Sequence, residues 1–143
     1  MICLVSNEEL IKLAKSKTKK EILTSSCAIG HIGCALETSD GELYFGISIV
    51  NDCALGMCSE QSAISSMLLN RKTEIKKIVS VKYDGTVYPA CGKCRELIYQ
   101  INHKNENTNI IIDKTKSIKL KDLLPYNWQN VRSDNGFSEY KVK

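Results

Sequence analysis

The sequence has no hydrophobic run that approaches the length of a membrane span, and residues 1–16 already mix Glu8, Glu9, Lys12 and Lys15 among the apolar positions. Neither a transmembrane helix nor a cleaved secretory leader is expected from such a pattern. Aromatic residues are scarce, at 6%. They are not interleaved with the densest basic run, Lys15, Lys17, Lys19 and Lys20, so the stacking platforms of a single-strand binder are missing and nucleic acid is not an expected partner. The looser series Lys114, Lys116, Lys119 and Lys121 reads as solvated surface, and the formal charge of +4 is spread in the same way. Repeats and dividing linkers are absent, so 143 residues are expected to make one domain, with 126–143 as a surface or intersubunit segment. That length buries a full core without a metal to hold it. The seven cysteines are an odd number and make no disulfide framework, which places the protein in a reducing cytoplasm.

Two short stretches carry the chemistry: Cys58-Ser59-Glu60 and, about thirty residues on, Pro89-Ala90-Cys91-Gly92-Lys93-Cys94. Cys58 precedes the apolar series Ala63, Ile64, Met67 and Leu68, and Cys91 precedes Leu97, Ile98 and Ile101, so each stands at the start of an expected helix. Helix N-termini favour thiolate over thiol and leave a cysteine ready to bind metal. Cys91 and Cys94, three apart, share a helical face. Cys58 and Glu60 would diverge within a helix but can meet at its mouth. Three thiols and one carboxylate so arranged suggest zinc with an open coordination position, held by Cys58, Cys91 and Cys94, with Glu60 as the base beside it. A closed structural site would need a fourth ligand, for which Cys53 is the candidate. Cys3, Cys27 and Cys34 have no partner at ligand spacing. His31, alone at a strand start, reads as a structural residue at the pocket edge.

Around these stretches the pattern predicts a helix over 6–20 with Ser6 as N-cap and Glu9 as its capping-box partner. A polar break at 24–27 is followed by strands over 31–38 and 43–50 about the turn Ser39-Asp40-Gly41. After a loop at 51–56 come a helix over 58–70, a strand over 75–83, a helix over 91–102, a strand over 109–113 and a helical turn over 121–125. The Ile110-Ile111-Ile112 run suits a strand buried on both faces. The expected architecture is α/β, a mixed sheet with helices on both faces.

The ordered set Ile32-Gly33-Cys34-Ala35-Leu36, Asp40-Gly41, Phe45-Gly46, Cys58-Ser59-Glu60 and Cys91-Gly92-Lys93-Cys94-Arg95-Glu96, with Leu123-Leu124-Pro125 before aromatic residues, resembles the zinc-dependent cytidine deaminase family over residues 32–128. The resemblance implies a three-layer αβα sandwich and a zinc cofactor. It implies hydrolytic deamination of a small cytosine nucleoside, and homotetramers with active sites at subunit borders. In the family the position that matches Cys53 is not a ligand. Many three-cysteine members place an arginine after the catalytic glutamate; here that residue is Gln61, leaving Arg95 and the helix N-termini to compensate the thiolate charge.

Nucleoside-specific members carry an Asn-x-Glu pair for the ribose at the end of the second hairpin strand. This chain has Ser48-Ile49-Val50 there, with Asn51 next, and Gly30 where a phenylalanine is usual. Blasticidin S deaminases also lack the full pair and bear a tryptophan after Leu-Leu-Pro, which Trp128 resembles. The expected substrate is therefore cytidine, deoxycytidine or blasticidin S, with Ser48, Asn51 and Trp128 as contacts. The alternative is a deaminase-fold protein that edits RNA or binds a nucleotide without turning over free nucleosides.

Overall fold

The computed structural model describes residues 4–131, which leaves Cys3 and positions 132–143 of the expected C-terminal segment outside the described residues. Helix α1, Asn7–Ser16, begins where Ser6 was expected to cap it: the Ser6 hydroxyl accepts the Glu9 N–H at 3.1 Å, with Glu8 and Glu9 in the first turn. It ends short of the expected residue 20. The Lys17 N–H bonds back to the Ala14 carbonyl and the Thr18 hydroxyl donates to the Lys15 carbonyl at 2.6 Å, closing the last turn locally. The chain then makes a strand that the sequence pattern did not announce, β1, Glu21–Thr24.

The polar break is only a tight turn, because strand β2 begins at once and runs over Cys27–Thr38, and β3 follows over Leu43–Val50. Their hairpin closes as expected, with the Thr38 N–H donating to Glu42 O at 2.9 Å, the Thr38 hydroxyl to Asp40 at 2.6 Å, and Gly41 at φ 87°. Helix α2, Ser59–Leu69, strand β4, Ile75–Lys82, and the short β5, Val87–Tyr88, come next. Helix α3, Gly92–Ile101, leads through a 3-10 turn at His103–Asn107 into β6, Asn109–Ile111. A further strand, β7, Ser117–Lys119, was not expected, whereas the one-turn helix α4, Leu120–Leu123, falls at the expected helical turn before Pro125. A 3-10 turn at Trp128–Val131 completes the described chain.

The sheet order is β1-β2-β4-β6-β7, with β3 on β2 and β5 on β4. The β4–β6 pair is parallel and the other pairs are antiparallel, so the sheet is mixed, as expected. Side chains alternate across it. Cys34, Leu36, Ile78 and Ile110 pack under α2, α3 and α4, against Ala63, Ile64, Met67, Cys94, Ile98 and Leu120. Ala35, Val79, Val81 and Ile111 pack under α1, against Leu10 and Ala14. Ile110 and Ile111 thus face opposite layers, which is the two-sided burial read from their run. The result is an α/β sandwich of three layers. Among the described residues no helix is long and apolar enough to cross a membrane.

Two details set the geometry of the layers. Gly46 on β3 sits so close to α2 that a Cβ there would lie 2.2 Å from Ala63 N and 2.3 Å from Ser59 O. The first turn of α2 is therefore seated on the strand at a spacing only glycine allows. On the other face Glu37 and Lys77, cross-strand neighbours in β2 and β4, are both buried, with Nζ 3.2 Å from Oε2. The Lys77 ammonium also donates to the Val5 carbonyl just before α1. Neither Glu37 oxygen accepts a hydrogen bond, so the pair is held by charge.

Candidate metal centre and active site

The N-termini of α2 and α3 converge on the β2–β4 side of the sheet. Cys58 is the N-cap of α2 and Cys91 the N-cap of α3; Cys94 stands in the first turn of α3, fully buried. The three Sγ atoms lie within 4.8 Å of one another, and those of Cys58 and Cys91 are 3.9 Å apart. Tetrahedral zinc with Zn–S bonds of about 2.3 Å requires thiolates about 3.8 Å apart, so the donor set fits the metal that the sequence suggested. Cys53 does not join the cluster. It is exposed, in a left-handed conformation at φ 57°, and the group that can hold a metal among the described residues is Cys58, Cys91 and Cys94. The three ligands thus leave a tetrahedral position to fill.

The protonation pattern of the thiols follows from their places. Burial, reinforced by the Glu60 carboxylate and Cys58, pushes Cys94 far above its ordinary value. Burial and the neighbouring Cys91 raise Cys58 as well. At Cys91 burial acts upward too, but the Cys94 backbone N–H and hydrogen bonds with the Cys94 and Cys58 thiols outweigh it and hold this thiol below its ordinary value. Cys91, at the helix mouth, is therefore the first thiolate of the set.

Glu60 is 6% exposed, in the first turn of α2, and its Oε2 accepts the Ser59 hydroxyl at 3.2 Å. It lines the same cavity as Cys58 and Cys91, and after burial its charge is the largest influence pushing up the Cys34 and Cys94 thiols. Gln61 does work that the sequence pattern could have disclosed. As the third residue of α2 its Oε1 accepts the Cys58 N–H at 3.2 Å, the reach-back arm of a capping box, and so it braces the residue that holds the metal.

Glu60, Cys58 and Cys91 line one cavity of about 440 Å³ together with Ile32, Ser48, Ile49, Met57, Ser80, Tyr88 and Lys93. That volume suits a small organic ligand. Of the expected substrate contacts the structure brings one to this wall. Ser48 is there, its hydroxyl accepting the Ile32 N–H at 2.9 Å. Asn51 instead donates to the Ser26 carbonyl at 2.6 Å, tying the β3 end to the β1–β2 turn. Trp128 is 60% exposed and its backbone N–H donates to Glu96 at 3.3 Å; neither residue lines the cavity. Arg95 donates from Nε to Ala90 O at 2.7 Å and from Nη1 to Leu123 O at 3.4 Å, which pins the segment entering Cys91. His31 packs edge-on against Tyr83 and is not part of the wall.

Gly30 has φ 72°, in a bulge of β2, and a Cβ there would meet the Lys19 carbonyl at 2.1 Å. No phenylalanine can occupy that position. Met57, Ser80, Tyr88 and Lys93 escaped the sequence reading. Ser80 arrives only through strand register, opposite Cys34, and Met57 through an isolated bridge to Ile49; Lys93 stood in plain view between the two ligand cysteines.

Comparison with known proteins follows the same lines. Residues 5–108 match the family model of the cytidine and deoxycytidylate deaminase zinc-binding region. Among solved structures, the chain is similar to cytidine deaminase from Mycobacterium leprae, with a TM-score of 0.67 at 24% identity over 81% of this chain and 94% of that one. It is similar to cytidine deaminase from Mycobacterium tuberculosis, with a TM-score of 0.68 at 21% identity, covering 83% and 94%. The enzyme from Burkholderia pseudomallei gives 0.65 at 23%, covering 86% and 99%. At such identities the likeness is one of fold.

Proposed function

The chain belongs to the cytidine and deoxycytidylate deaminase zinc-binding family, and from that premise we propose that it hydrolyses the 4-amino group of a cytosine nucleoside to a carbonyl, releasing ammonia. The observation that carries this reading is the convergence of three thiols and a buried carboxylate on the wall of one cavity. Zinc, when bound, supplies the Lewis acidity that makes water acidic enough to lose a proton near neutral pH. The proton traffic falls to Glu60. It accepts the proton of the attacking water and delivers it to ring N3 as C4 becomes tetrahedral. It then relays the new hydroxyl's proton to the amino group, which departs as ammonia. With Oε2 engaged by the Ser59 hydroxyl, Oε1 is the atom assigned to this exchange. Arg95, anchored to Ala90 O, is assigned to offset the charge of the thiolates.

The finer reading takes the substrate to be a cytosine nucleoside antibiotic of the blasticidin S kind. It is supported at the two strand positions where nucleoside-specific members carry Asn and Glu for the ribose: Ser48 has only a short hydroxyl, which accepts the Ile32 N–H, and Val50, 54% exposed, offers no polar side-chain atom. Within this proposal Trp128 acts across a subunit border, since it stands off the cavity of its own chain. Exposed Ile22, Leu23, Val50 and Leu55 supply apolar surface for the tetramer that the proposal includes. The proposed compartment is the cytoplasm, where thiols stay reduced and open to metal.

The test is ammonia release from cytidine, deoxycytidine, cytosine and blasticidin S by the zinc-loaded protein and by Glu60→Gln. Loss of the proton shuttle is expected to slow turnover by about 10²–10⁴-fold. An unaffected rate in Glu60→Gln, or no turnover of any of the four with zinc bound, overturns the reading in favour of a binding protein.

A further inference from the structure

We propose that Lys93 is a specificity-determining residue that selects substrates carrying negative charge on the sugar side of the cytosine ring. The inference rests on the deaminase reading of the cavity. Apart from the ligand thiols, two side chains of the cavity carry charge at neutral pH, Glu60 and Lys93. They lie at opposite depths. Glu60, Ser59 and Ser80 are all buried, whereas Lys93 is exposed and Tyr88 is 42% exposed, so the base is at the floor and the ammonium at the mouth. A ring whose C4 meets the floor must direct its N1 substituent to the mouth, past the apolar side chains of Ile49, Met57 and Tyr88 and towards Lys93.

No hydrogen bond or ion pair among the described residues engages Lys93, so its charge is available to a ligand. At the end of β3, Val50 offers a sugar hydroxyl no polar side-chain atom. An unpaired ammonium at the rim fits a phosphate or carboxylate on the sugar better than an unsubstituted nucleoside. Such a group would accept charge-assisted hydrogen bonds from the Lys93 ammonium.

The experiment compares cytidine, cytidine 5′-monophosphate and cytidine bearing a 5′-carboxylate on the zinc-loaded wild type, Lys93→Met and Lys93→Arg. The ratio of kcat/KM for anionic over neutral substrate is expected to fall on the order of tenfold in Lys93→Met. It is expected to be largely kept in Lys93→Arg and, in the wild type, to shrink as salt is raised. The change should appear in KM, because the contact is present before and during reaction. The two anionic substrates show which group the mouth prefers. In parallel, calorimetry on Glu60→Gln, with and without Lys93→Met, reads binding of cytidine and its monophosphate without turnover. If the wild type turns over none of the three, the deaminase reading fails, while this binding comparison still decides the part played by Lys93. An anionic-to-neutral ratio unchanged by Lys93→Met in both measurements overturns the proposal. An equal loss on all three substrates also overturns it, since Lys93 would then act on the thiolate cluster.

Discussion

Replacing Gly46 by alanine tests whether the β3–α2 spacing sets the metal site. Gly46 is not among the residues with positive φ, so the backbone admits alanine and room is the only obstacle. The new methyl carbon would lie 2.2 Å from Ala63 N and 2.3 Å from Ser59 O, where ordinary contact begins at 3.4 Å. Both obstructing atoms are backbone and cannot rotate aside, so the start of α2 must retreat by about 1.2 Å, an overpacking expected to cost about 1–3 kcal/mol of stability. That retreat carries Cys58 and Glu60 away from Cys91 and Cys94, which belong to α3. A Cys58–Cys91 separation of 3.9 Å, already matched to zinc, would open beyond what one ion can bridge. Zinc affinity should fall by about 10–100-fold, the size of effect seen when the support of a ligand is removed. Any remaining turnover should fall by about 100-fold, because Glu60 moves by the same distance. Competition against a chromogenic chelator measures the affinity, and circular dichroism confirms that the chain still folds. Zinc affinity within about threefold of wild type in a folded Gly46→Ala protein would refute the reasoning, since it would mean the layers adjust without moving the ligands.

The buried Glu37–Lys77 pair makes a second prediction. Lys77→Met leaves a carboxylate with no exposed surface and no compensating charge, and should cost about 3–5 kcal/mol in urea unfolding, whereas Glu37→Met with Lys77→Met should recover most of the loss. A single variant as stable as wild type would show that water reaches the pair. Metal uptake should also depend on pH. Burial raises the Cys58 and Cys94 thiols in the metal-free chain, so zinc must displace their protons, and affinity should rise with pH through the neutral range. Calorimetry in two buffers of different ionisation enthalpy counts the protons released, and release of none would contradict the assignment.

The sequence disclosed those features that depend on local spacing. The ligand cysteines could be read because each sits at a helix start marked by an apolar period, and α2 and α3 do begin at Ser59 and Gly92 with Cys58 and Cys91 as caps. The β2–β3 hairpin was legible from its Asp-Gly turn and the two-sided burial of β6 from its isoleucines. Strands β1 and β7 were not legible. At four and three residues they are too short to show a period, and their partners, rather than their composition, make them strands. The engagement of Asn51 was not legible for a related reason: its amide donates to the Ser26 carbonyl in the turn that β1 creates.

What the chain's residues determined unaided was a donor set, three thiols that suit zinc, and beside it the carboxylate proposed as the proton relay. The tertiary structure decided what surrounds that set. Strand register carries Ser80 to the cavity, a glycine sets how near α2 lies to β3, and burial puts Glu60 at the floor while Lys93 stays exposed at the rim. Coordination preferences travel with the atoms themselves. The distances between those atoms arise from packing among elements far apart in the chain, where no local pattern records them.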